Sequence, residues 1–171
     1  MQARFYISFV LVLGVLFGLI LFSCTYKKFG EDQDLYLKAK TTTDFVWYKN
    51  SNAKLPKTSG SGHSQPLLST RFNAIAVANL DANFKVKTGS GFAEESVIVK
   101  ELYDSDGKLD LYAILYKKST HPNADSKGWV WGYINADGSV RIGSSKKGKD
   151  CTSCHSQSGN EDYTLMNKFF P

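Results

Sequence analysis

Cysteine and histidine are both scarce in this chain. Its 171 residues contain three of each: Cys24, Cys151 and Cys154, and His63, His121 and His155. With Cys24 set aside, as argued below, one cysteine pair remains and no third thiol competes with it. A zinc site with four protein ligands would have to bring His63 or His121 to that pair. Methionine is rarer still, with only Met166 beyond the initiator. Charge of one sign is also in short supply. The formal net charge is +5 and the basic residues are scattered, which excludes a nucleic-acid surface built on a basic stripe. No long internal repeat runs through the sequence, which excludes a solenoid.

Only one long apolar run is present. It extends from Phe5 to Phe22 behind Arg4 and closes on "LFSC" at Cys24. This is the pattern of a signal peptide with a lipobox: residues 1–23 are removed and Cys24 carries the lipid. An uncleaved anchor is the alternative, since the run is about long enough to span a thin bilayer. Either way the remainder lies outside the cytoplasm. The expected location is the bacterial cell envelope, lipid-anchored to a membrane and facing the periplasm. The chain is 42% hydrophobic and 22% charged, ordinary values for one domain with a buried core. Aromatic residues make up 13%, which suits a β-rich core or a flat, ring-lined pocket.

Residues 24–42, "CTYKKFGEDQDLYLKAKTT", read as a polar tether, and the domain is expected over 43–171. Thr43 or Asp44 can cap a short helix reaching Asn50. Residues 51–66 are polar and rich in turn formers, so a loop. Leu67–Phe72 reads as a strand, and Ala74–Phe84, rich in alanine, as a helix. The pattern is clearest further on. "SVIVKELY" ends in the turn "DSDG" and continues into "KLDLYAILYKK", which is apolar on both faces, the mark of a central strand. "KGWVWGYI" alternates Trp129, Trp131 and Tyr133 against Val130 and Ile134, then turns through "NADG" into "SVRIG". The fold class implied is α+β: mainly antiparallel sheet built from hairpins, with a few flanking helices.

Near the C-terminus stands Cys151-Thr152-Ser153-Cys154-His155. In a CxxCH clamp each thiol forms a thioether with a haem vinyl, and the histidine reaches the iron. A redox disulfide would sit at a helix start in a βαβ unit, which the strand pattern does not offer. Haem c is therefore the expected cofactor, one and covalent, with zinc and a disulfide as alternatives. Only 16 residues follow His155, too few to swing Met166 easily to the opposite haem face. His63 and His121 lie in polar stretches and read as exposed. The iron is thus expected to keep an open face that binds small molecules.

The pieces "SVIVKELYD", "LYAILYKK", "GWVWGYINADGSV" and "CTSCHSQSGNEDYTL" appear in an order that resembles the cytochrome P-460 family, including its β-type cytochrome c′ branch. The resemblance spans about residues 45–171 and is most specific in CxxCH followed by Asp162-Tyr163. It implies an antiparallel sheet packed by helices, commonly as a homodimer, with a five-coordinate haem c. It also implies one of two activities. One is oxidation of hydroxylamine with a lysine bonded to the haem edge. The other is non-enzymatic binding of nitric oxide. Electron transfer by a lipoprotein is a third reading, and a redox partner protein follows from the first and third. Lys85 is the first candidate for the cross-link, with Lys87 and Lys100 behind it. Phe72, Phe84 and Phe92 are candidate caps over the iron. Glu94, Glu95 and Glu101 are candidate proton carriers.

Overall fold

The computed structural model of the protein describes residues 30–164. The segment up to Cys24, and Met166, fall outside the described residues. No described helix is long and apolar enough to cross a membrane.

The first element was expected to be tether. It is instead a helix, α1 (Glu31–Lys40), with Glu31, Asp32 and Asp34 in its first turn and Lys38 and Lys40 in its last. Those charges match the helix dipole at both ends. Leu35 and Ala39, one turn apart, share a face, and both are fully buried. The folded domain therefore begins upstream of residue 43.

A helix over residues 43–50 does not form. Asp44, Lys49 and Asn50 adopt left-handed φ values of 62°, 52° and 53°, which no α-helix accommodates. The segment gives instead strand β1 (Val46–Trp47) and a 3-10 turn, Tyr48–Asn50. Strand β2 (Leu55–Pro56) and strand β3 (Leu67–Phe72) follow, the latter as expected. The helix read over 74–84 is a single turn, α2 (Ala74–Val77), capped by Asn73, whose carboxamide oxygen accepts from Ala76 N at 3.0 Å. Beyond it the chain doubles back through Phe84, left-handed at φ 57°, to pair Leu80 with Val86.

The central hairpins match the expected pattern. Strand β4 (Val97–Tyr103) turns at Gly107 into β5 (Leu109–Lys117), then β6 (Trp129–Asn135) and β7 (Val140–Ile142). All pair antiparallel in the order β1-β3-β4-β5-β6-β7, with β2 beside β1 on the outer edge of β3. The molecule is mainly antiparallel sheet with few helices. A 3-10 turn (Ser144–Lys146) and a last helical turn, α3 (Thr152–His155), close the described chain.

The registers sort the sheet into two faces. One carries Val97, Val99, Tyr112, Ile114, Tyr116, Val130 and Ile134, which pack with Leu35 and Ala39 of α1. A Cβ at Gly132 would lie 3.0 Å from Leu35 Cδ1, so glycine lets the helix settle here. Arg71, buried on this face, pairs with Glu101 at 3.1 Å and donates to the Ala39 carbonyl. The other face carries three cross-strand rows. Phe72, Ile98, Leu115 and Trp131 form one row, and Leu68, Leu102 and Leu111 another. Between them runs Thr70, Lys100, Ala113 and Tyr133. Thr70 and Ala113 are short, so this middle row is a trough flanked by bulky side chains.

Leu35→Ala is expected to destabilise the fold by about 3 kcal/mol, the usual cost of truncating a fully buried leucine. Urea denaturation measures it; a change under about 0.5 kcal/mol would mean that α1 is only a tether.

Candidate haem site

The cysteine motif is laid over this trough by two backbone features. Lys147 and Gly148 are both left-handed, at φ 50° and 70°. A Cβ at Gly148 would fall 2.5 Å from the Trp131 indole nitrogen. Only glycine lets the chain cross that ring. The helical turn α3 then sets the His155 ring at right angles to Trp131, with centroids 5.0 Å apart. Trp131 is itself fixed, donating from Nε1 to Asp125 Oδ2 at 2.7 Å.

His155 Nδ1 lies 2.6 Å from the carbonyl of Tyr163. A carbonyl only accepts, so Nδ1 carries the hydrogen and Nε2 keeps its lone pair. Tyr163 is held there by a tight turn. Thr164 N donates to Glu161 O at 2.7 Å, and the two residues between, Asp162 and Tyr163, are left-handed at φ 44° and 64°. Such conformations cost about 1 kcal/mol each for residues other than glycine. The Asp162 carboxylate offsets this. It accepts from Lys117 Nζ at 2.9 Å, Phe92 N at 2.8 Å and Trp129 Nε1 at 3.3 Å, and the Asp162 carbonyl accepts from Trp129 Nε1 at 2.9 Å. The Lys117 and Asp162 side chains are only 11% and 8% exposed.

A cavity of about 370 Å³ lies between the motif and the trough. Cys151, Cys154 and His155 line one side; Thr70, Lys100 and Tyr133 line the floor, with Ile98, Leu115 and Trp131 beside them. The loop Ser61–Ser64 closes a third side. Both thiols are free, and burial pushes Cys151 up to about 11, so it is a neutral thiol. Burial lowers His155 to about 4, and the nearby Lys100 charge adds to the effect. Lys100 itself is lowered to about 8 by burial and makes no hydrogen bond or ion pair among the described residues. The Thr70 hydroxyl is buried without a partner.

The Cytochrome P460 family model matches residues 46–166, most of the chain. The chain belongs to the cytochrome P460 family. No curated protein and no solved structure matches it. The family is one of haem-binding cytochromes that act on nitrogen species. The lining fits such a group: apolar walls for a macrocycle, two thiols, an imidazole with a bare Nε2, and two polar groups the protein itself leaves unpartnered. Among the described residues no set of three or more His, Cys, Asp or Glu side chains converges to hold a metal ion.

Other candidates are dispersed in this cytochrome. Lys85 is exposed in the loop after α2 and does not line the cavity. Lys87 donates to the Ala78 carbonyl at 2.9 Å. Lys100 is the lysine inside. Phe72 and Phe92 stack in the core with Trp129, and Phe84 packs against that cluster; none of the three lines the cavity. Glu94 is bound to Ser119, Glu95 to Lys118 and Tyr116, and Glu101 to Arg71 and Tyr103. His121 pairs with Glu31 at 2.7 Å, away from the cavity. His63, expected to be exposed, lines it. Its flanking Gly-Ser text hid this; the only sequence signal was a histidine two residues before Gln65 and four before the strand β3.

Asp162→Ala should lower stability by about 3 kcal/mol, the scale for breaking a buried ion pair. Thermal unfolding of the purified holoprotein tests it. A shift no larger than that of an exposed Asp→Ala control, such as Asp106→Ala, would refute the pinning role.

Proposed function

We propose that this chain is a mono-haem c cytochrome of the bacterial cell envelope. Its iron keeps an open face for a small nitrogen species such as hydroxylamine or nitric oxide. The observation that carries the reading is the meeting of Cys151, Cys154, His155 and Lys100 around one cavity. The two cysteines would hold a single haem c through thioethers, and His155 Nε2 would ligate its iron. The haem, when bound, supplies one-electron iron chemistry.

The chain's own part is positional. The Tyr163 carbonyl orients His155, and such a bond raises the basicity of the ligating nitrogen. Trp131, Ile98 and Leu115 keep water from the floor. Lys100 takes the cross-linking role first considered for Lys85, because it is the lysine among the lining residues and its amine is uncommitted. Burial raises its neutral, nucleophilic fraction at a given pH. With that bond the protein acts as an oxidoreductase on hydroxylamine. The mostly apolar walls also suit a neutral diatomic, which supports the second reading of a non-enzymatic nitric-oxide-binding protein. Lipid at Cys24, after removal of residues 1–23, would tether the domain to a membrane facing the periplasm. The remaining partners in this reading are a redox protein and a second copy of the chain.

Digestion and mass spectrometry test the reading. One haem per chain should be found, attached at Cys151 and Cys154, with a third bond at Lys100 that Lys100→Met removes and Lys85→Ala preserves. Two thioethers alone would move the assignment to nitric oxide binding. A protein without haem after a pyridine haemochrome assay would end the proposal.

A further inference from the structure

His63 was set aside on composition, yet it lines the cavity, stacked on Tyr133 at 12° with ring centroids 5.9 Å apart. A chain of hydrogen bonds favours the tautomer protonated on Nδ1. Asp110 pairs with Arg141 at 3.1 Å and is an acceptor only. Gln65 therefore donates to it from Nε2, at 2.5 Å. That orients the Gln65 carbonyl oxygen toward Tyr133, which donates its hydroxyl hydrogen there at 3.5 Å. The Tyr133 oxygen, its only hydrogen so used, accepts from His63 Nδ1–H at 3.3 Å. Nε2 of His63 is then a bare lone pair with no partner among the described residues. The loop is held by Lys57, which donates to the His63 carbonyl at 2.6 Å.

We infer that His63 Nε2 is a hydrogen-bond acceptor for the small ligand of this cavity, selecting molecules that carry an N–H or O–H over bare diatomics. This rests on the haem reading above and adds to it a residue that chooses between its two ligand classes. A ligand with a protic hydrogen satisfies the lone pair, whereas nitric oxide or carbon monoxide leaves it buried and unpaired. Gln65 and Tyr133 are positioning residues: they keep the hydrogen on Nδ1 and so keep Nε2 an acceptor. Burial lowers His63 to about 3, with smaller contributions from the Lys100, His155 and Lys57 charges, so the neutral imidazole is the form present.

The test compares two probes by absorption titration of the holoprotein. Ferric protein is titrated anaerobically with hydroxylamine, without an electron acceptor, and ferrous protein with carbon monoxide. His63→Leu should weaken hydroxylamine binding about tenfold, the worth of one buried hydrogen bond, and change carbon monoxide affinity less than about twofold. His63→Gln, which keeps an acceptor, should recover part of the loss. Tyr133→Phe should fall between, and it serves as the readout if His63→Leu does not fold. Equal losses for both probes would reduce His63 to a wall of the cavity and overturn the inference. So would a six-coordinate low-spin wild-type spectrum that becomes high-spin in His63→Leu, which would make His63 an iron ligand. Carbon monoxide binding with an unchanged probe ratio sinks this inference alone. Absence of haem, or of carbon monoxide binding, sinks the functional reading with it.

Discussion

The hydrogen bond from His155 to the Tyr163 carbonyl is the contact on which the site depends. It fixes the tautomer and the ring direction together, and the turn over residues 161–164 is arranged to make it. The two partners are eight residues apart, so the chain must reverse sharply. It does so with two left-handed residues that bear side chains. Asp162 holds them there through Lys117 at the end of β5 and Trp129 at the start of β6. The position of CxxCH late in the chain follows from this. Its histidine is oriented by a sheet that the preceding residues have built.

That sheet separates two kinds of chemistry by alternation alone. Successive side chains point to opposite faces, and in β4 the residues Val99 and Glu101 belong to the α1 side while Lys100 belongs to the cavity. On the α1 side Arg71 and Glu101 pair with each other, Ser69 and Tyr103 bond to Glu101, and most other positions are apolar. The cavity side is left incomplete. Its middle row pairs two short residues, Thr70 and Ala113, with Lys100 and Tyr133. The hollow is thus written into side-chain size along one register line.

The strands from 97 to 142 were legible because their apolar positions filled both faces and their turns carried Asp and Gly. The motif stood out by its CxxCH spacing, and the structure sets its three side chains beside one cavity. Helix α1 was not, since only Leu35 and Ala39 are fully buried and the rest of its sequence looks like a solvated linker. Lys100 could not be ranked above Lys85 without the register, because a shift of one residue would have turned it to the other face. His63 was hidden by its neighbours: glycine and serine beside a histidine usually mean exposure, and here the loop instead folds over the trough, with Gly62 close to the Cys154 sulfur. The phenylalanines were read as caps from their chemistry alone, but their row places Phe72 behind the cavity with Phe92 and Trp129.

The charge balance of the cavity explains why so unusual a lysine is kept. Lys100 is half-buried on the cavity floor, where a lysine is ordinarily paired. His63 and His155 can carry no negative charge, so neither answers the Lys100 charge. The only carboxylate among the lining residues is the exposed Asp150. An uncompensated ammonium on an interior strand is a cost to the fold, and an apolar residue at that place would relieve it. The lysine is therefore better understood through the group that fills the cavity. A bond from its nitrogen, or a nearby negative charge, would remove the penalty that the protein alone leaves standing. The unpartnered Thr70 hydroxyl in the same row points the same way. The trough is a half-finished core, and in the proposed reading its remaining contacts are made by the haem.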